Sequence, residues 1–238
     1  MNKMTKLLGA LLLLGSLASC NEIPSDLASQ LPSGNLPTET QQPSDTQTEV
    51  PSDTQTVTPS EKPSESVKSE LEEALVGIAA DKTSYLTTVG QADSNIVSNI
   101  FNKAGATGEY TLDAMLNASD VEEGAVVFLT LGASSKGLGA AGVDEAYEKA
   151  RAKEFSDAAK EGKFTLILFH VGGTARRGSS SDPIIEAAFP GAAACFVVSS
   201  GNEDGFFNGL STNNNVSLYE VSKSLDLVNL AKGLYGKE

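Results

Sequence analysis

The chain has no tryptophan, a single histidine, two cysteines, and 17 basic residues against 31 acidic ones in its 238 positions. Each shortage excludes something. One histidine cannot build the two-histidine zinc motifs, and two cysteines supply neither a Cys-rich zinc site nor a disulfide framework. A formal net charge of -14 argues against a nucleic-acid protein, whose signature is a basic stripe on a basic domain. The long apolar run near the start, Leu7–Leu14, is too short to span a bilayer as a stable helix.

What is present begins with an address. Lys3 and Lys6 precede the apolar run, and Gly15, Ser16, Ala18 and Ser19 supply small residues after it, the layout of a signal peptide over residues 1–19. Leu17-Ala18-Ser19-Cys20 resembles the bacterial lipobox. The resemblance implies that Cys20 receives a diacylglyceryl group and becomes an acylated N-terminus after cleavage. Two or three acyl chains pass the threshold for stable anchoring. The expected location is the cell envelope, with the protein lipid-anchored to a bacterial membrane on its extracytoplasmic side.

Residues 20–66 read as a tether. Pro43-Ser44-Asp45-Thr46-Gln47-Thr48 recurs as Pro51-Ser52-Asp53-Thr54-Gln55-Thr56, with no periodic apolar face to bury. Such a composition cannot offset its ordering entropy, so a disordered linker is expected. Eight acids against Lys62 alone make it self-repelling, and a flexible chain of this length spans about 35–40 Å.

Residues 67–238 form the predicted domain, with 14 basic and 23 acidic side chains. Val67, Leu71, Leu75 and Ile78 are spaced for an opening helix. Thereafter strand and helix patterns alternate. Tyr85–Val89, Ala125–Leu131, Phe164–Phe169, Ala194–Val198 and Val216–Val221 read as strands, with Tyr110–Leu112 as a short edge strand. Helices are expected from Asp93 to Gly105, Asp144 to Lys160, from Asp182-Pro183 through Ala188, and Leu225 to Leu234, with Asp93 and Asp182 as caps. The expected fold is α/β, a doubly wound, mostly parallel sheet of five to six strands in flavodoxin-like or Rossmann-like order 2-1-3-4-5 with a further edge strand. In such sheets ligands bind outside the carboxyl ends of the strands.

The loops at that edge carry Ser134, Ser135, Lys136 and Gly137, then His170, Gly172, Gly173, Arg176 and Arg177. Two arginines and a lysine among glycines and hydroxyls are the vocabulary of anion binding, so a small carboxylate or phosphate ligand is expected there. The competing reading is that the arginines pair with domain carboxylates and the glycines only turn the chain. An enzyme is the second hypothesis, a hydrolase or transferase with His170 as general acid or base and Ser134 or Ser135 as nucleophile. A surface module that docks another protein is the third.

No cofactor is implied. Gly137-Leu138-Gly139-Ala140-Ala141-Gly142 matches the dinucleotide fingerprint in form, but several loop residues separate it from its strand, and the next strand ends in His170 where a ribose-binding acid is needed. The lysine spacing does not fit a P-loop, no G-x-S-x-G elbow is present, and no spaced His/Asp cluster suggests a metal. Cys195, within a strand, reads as a small apolar residue.

Three motifs stand out: Gly132-Ala133-Ser134-Ser135-Lys136-Gly137-Leu138-Gly139; Gly172-Gly173-Thr174-Ala175-Arg176-Arg177-Gly178 with Ser181-Asp182; and Gly201-Asn202-Glu203-Asp204-Gly205-Phe206. On these, the stretch from Tyr85 to Leu234 resembles an uncharacterised family of secreted bacterial domains. The resemblance implies a Rossmann-like extracytoplasmic domain of unknown function and assigns no catalytic residue.

Overall fold

A computed structural model describes residues 70–238; the signal segment, Cys20 and the tether lie outside the described residues. Six parallel strands form one sheet: β1 (Ser84–Val89), β2 (Thr111–Leu112), β3 (Val126–Leu131), β4 (Thr165–His170), β5 (Ala194–Val198) and β6 (Ser217–Val221). Their order is β2-β1-β3-β4-β5-β6, and Val89 of β1 stands opposite Leu131 of β3. The central strands are buried on both faces because both alternating sets of side chains are apolar.

Six helices cover the sheet: α1 (Ser94–Lys103), α2 (Ser135–Ala141), α3 (Glu145–Lys160), α4 (Asp182–Ala188), α5 (Phe206–Asn214) and α6 (Leu227–Leu234). One core joins Val127, Leu129, Leu166, Leu168, Cys195 and Val197 to α3, α4 and α5 through Phe155, Ile185 and Phe207. The other joins Leu86, Phe128, Phe169, Phe196 and Tyr219 to α1 and α6 through Phe101 and Leu234. Phe101 packs edge-on against Phe128, Phe169 and Tyr235, with ring centroids 4.7–5.6 Å apart.

Two local expectations are corrected, and one element is added. The opening helix is reduced, within the described residues, to a single 3-10 turn at Glu73–Leu75. Its apolar spacing is used differently: Leu75 and Ala79 are buried, while the amides of Gly77 and Ala79 donate to Gly233 and Leu234 at the end of α6. The glycine-rich stretch after β3 is helical as α2. Ser134 caps it by accepting a hydrogen bond from the Gly137 amide at 3.2 Å. The segment Phe206–Asn214, to which the sequence pattern assigns no element, is α5; Asn202 accepts from the Phe207 amide at 2.9 Å and Phe207 is fully buried.

Candidate functional site

The carboxyl edge brings together the turns after β1 (Gly90–Asp93), β3 (Gly132–Ser134), β4 (Val171–Ser181) and β5 (Ser199–Gly205). Because β1 lies between β2 and β3, chain connections diverge at β1 and β3, where this topology normally leaves a ligand crevice. Here the protein fills it. Gly90, at φ 91°, lies so close to the Gly132 carbonyl that no side chain fits between the two turns. The Ser134 amide donates back to the Gly90 carbonyl at 2.9 Å.

Arg176 closes the crevice from the β4 side. Its Nε donates to both carboxylate oxygens of Asp93, at 3.3 and 3.2 Å. The Asp93 side chain is 9% exposed and that of Arg176 30%. Gly172 makes room for the pair, since a Cβ there would collide with Arg176 and with the Asp93 carboxylate. Asp93 therefore does not cap α1 with its side chain, as expected from sequence; it adopts φ 63° and turns to the arginine. Gln91 has φ 57°, so two non-glycine residues of one short turn occupy the left-handed region.

Arg177 is fully spent within the protein. Nε donates to Asp182 Oδ1 at 2.8 Å, and Nη2 donates to Asp182 Oδ2 at 3.3 Å and Asp204 Oδ2 at 3.0 Å. Nη1 donates to Asp204 Oδ1 at 3.1 Å and to the Gly201 carbonyl. All five guanidinium donors are thus used. The group also lies 4.0 Å over the Phe206 ring. Burial pulls the Arg177 pKa down, but the hydrogen bonds to Asp182 and Asp204 outweigh it and leave the pKa raised. Asp204 is held below the usual carboxylate range by its bond from Arg177. Asp182 opens α4 as its first residue after Ser181, and its carboxylate serves Arg177 and the Gly178 amide, at 3.0 Å.

The structure does not bring His170 to the serines. His170 is fully buried at the end of β4, with Nδ1 3.2 Å from the Leu131 carbonyl and Nε2 3.2 Å from the Gly173 carbonyl. Ser134 caps α2, Ser135 is exposed in its first turn, and Lys136 is exposed and forms no ion pair among the described residues. Gly137 packs against the Gln91 carbonyl, inside the helix and away from any strand-to-helix turn, which is not dinucleotide-fingerprint geometry. Cys195 is buried in β5, and burial pushes its thiol pKa well up.

An open cleft of about 400 Å³ separates the loops after β4 and β5, lined by Thr174, Arg177, Gly178, Asp182, Ser200, Gly201, Glu203 and Asp204. Asp182, Glu203 and Asp204 thus line the cleft with Arg177, whose charge Asp182 and Asp204 already neutralise. Among the described residues no His/Cys/Asp/Glu group is arranged to hold a metal ion.

Sequence reasoning missed the pair that supports this edge. Glu148 and Arg151 of α3, 0% and 2% exposed, are joined at 2.9 Å. Glu148 also accepts from the Gly90 amide at 2.8 Å and from Gln91 Nε2 at 3.0 Å. The readable signal was position: 148, 151, 152 and 155 lie on one helical stripe, and its other members, Ala152 and Phe155, are core.

These features define a flavodoxin-like α/β domain with its polar loops gathered on one edge of a parallel sheet. The chain belongs to the family described as a domain of unknown function, DUF6305, whose model matches residues 82–235. The match covers the stretch that carries the three motifs and brings no activity with it. Searches of curated proteins and of solved structures returned no match.

Proposed function

We propose that the chain is a lipid-anchored extracytoplasmic recognition protein: Cys20 is acylated, residues 20–66 act as spacer, and the domain holds a small anionic ligand at the carboxyl edge of its sheet. The observation that carries the ligand reading is the state of Arg176. Only its Nε edge is engaged by a carboxylate; Nη1 reaches the Ala175 carbonyl at 3.3 Å, and Nη2 has no partner among the described residues. Asp93 illustrates the kind of group this guanidinium takes, and exposed Lys136 on α2 adds a second cation. Arg177 contributes by shaping the β4 loop and has no donor left for a ligand.

A catalytic role for His170 with Ser134 or Ser135 has no geometric support, since both ring nitrogens face backbone carbonyls. A second binding reading has a specific observation behind it. The acidic lining of the cleft favours a basic segment of a partner protein docking between the β4 and β5 loops.

Thermal unfolding of the full chain against carboxylates, phosphates and basic peptides separates the two. A ligand at one hundred times its Kd stabilises by about 2.7 kcal/mol, or about 5–10 °C for a domain of this size. An anion that produces such a shift in the wild type and none in Arg176→Ala supports the first reading. A basic peptide whose shift is lost in Asp204→Asn replaces it with the second. A ligand that stabilises all three proteins equally places recognition elsewhere.

The anchor has its own test. Incorporation of radiolabelled lipid is expected in the wild type and absent in Cys20→Ala; undiminished labelling of the variant would sink the lipobox reading.

A further inference from the structure

We infer that His170 is a proton-operated tie between the carboxyl-edge loops: neutral, it hydrogen-bonds one of the two carbonyls that face its ring, and charged, it bonds both. A neutral imidazole has one N–H donor and one acceptor nitrogen. Yet Nδ1 faces the carbonyl of Leu131, at the end of β3, and Nε2 faces that of Gly173, in the turn after β4, each at 3.2 Å. In the neutral ring one of these contacts sets a nitrogen lone pair against a carbonyl oxygen. Only the imidazolium satisfies both.

The ring is held from the remaining sides. Phe207 of α5 packs on it with centroids 4.9 Å apart. Gly201, in the loop after β5, lies so close that a Cβ there would sit 2.6 Å from Nε2. The ring therefore cannot leave without displacing the β5 loop. Gly201 and Thr174, which follows the bonded carbonyl, both line the cleft, so a change at His170 acts directly on its floor.

The charged groups facing the ring pull in opposite directions. From the β4 loop, Arg177, neutralised by Asp182 and Asp204, disfavours the imidazolium; from the start of α1, Asp93, paired with Arg176, favours it. β3 offers the ring its Leu131 carbonyl, and α5 the Phe207 ring. Burial is the largest influence and lowers the pKa, against the two carbonyls, which raise it; the net direction is down. An unfolded chain takes up the proton near its ordinary value of about 6.5, before the folded one does. Stability linked to this group is therefore full above about pH 6.5 and is lost as pH falls toward the folded pKa. The tie depends only on the fold and stands whether or not the ligand proposal does.

Because this is the chain's only histidine, its ring nitrogens can be followed without ambiguity by ¹⁵N NMR of the full-length protein. The expected result is one tautomer at neutral pH, then protonation of both nitrogens with a midpoint below 6.5. The amides of Gly132 and Thr174, which share peptide groups with the bonded carbonyls, should shift with that midpoint. In His170→Gln these coupled shifts should vanish. A midpoint at or above 6.5, amide shifts that do not follow the ring, or a ring that charges only as the domain unfolds would each overturn the inference. The wild-type titration decides the question even if the variant fails to fold.

Discussion

Glu148→Ala is expected to destabilise the domain by about 3–5 kcal/mol, the cost of leaving a buried charge without its partner. Arg151, 2% exposed, donates Nη1 to the Leu116 carbonyl at 2.8 Å and Nη2 to the carbonyls of Ala114, at 3.2 Å, and Thr88. Carbonyl dipoles orient the guanidinium but do not neutralise it; the Glu148 carboxylate does. The same truncation orphans the Gly90 amide and leaves Gln91 Nε2 only the Ala114 carbonyl, at 3.3 Å, and the Met115 sulfur, at 3.2 Å, so the loss should be felt first in the turn after β1. Urea denaturation measures the global cost, and hydrogen exchange at Gly90–Asp93 its location. Replacing both partners, as Glu148→Leu with Arg151→Met, should recover only part of the loss, because apolar substitutes remove the desolvation penalty together with the attraction but leave the Gly90 amide unpaired. A single-variant loss under about 1 kcal/mol would mean that water reaches the pair and that it does not anchor the edge.

The same pair marks the limit of what was legible from residues alone. The sheet was readable because β3, β4 and β5 are continuous apolar runs that only a strand buried on both faces can use, and alternation with helices then implied the parallel order. Glu148 and Arg151 belong to a helix in which charges usually mean solvent, and only their place on the Ala152–Phe155 stripe marks them as buried. Phe206–Asn214 escaped for the opposite reason. Gly205, Gly209 and the run Asn213–Asn215 lower helix propensity, and tertiary anchoring of Phe207 overrides it. The three cations at the candidate site could be assigned to one edge from sequence, but not sorted. Which arginine is spent depends on Asp182 and Asp204, one five residues on at the start of α4 and one 27 residues away. Pairing with carboxylates therefore accounts for Arg177 completely and for Arg176 only in part.

The glycines between β3 and α3 put these two roles to a direct test. Gly137 and Gly139 stand two residues apart in α2, and a cradle for an anion would make them equivalent sources of open backbone. The fold makes them opposites. A Cβ at Gly139 meets nothing within 4 Å, so Gly139→Ala should stabilise by about 0.5–1 kcal/mol through helix propensity alone. A Cβ at Gly137 would be driven into the Gln91 carbonyl and against the Gln91 Cβ, at 3.1 Å. That carbonyl cannot retreat freely, because Gln91 is at φ 57° and its side chain is held by Glu148. Gly137→Ala should therefore cost about 1–3 kcal/mol despite the better helix former. Urea denaturation of the two variants compares them directly, and equal gains in stability would show that α2 is not seated on the β1 turn and would return both glycines to the ligand. If the seat is real, the Gly137→Ala and Glu148→Ala losses should not add fully, since losing the Glu148 contacts to the Gly90 amide and to Gln91 loosens the β1 turn and lets the Gln91 carbonyl move aside for the new methyl group.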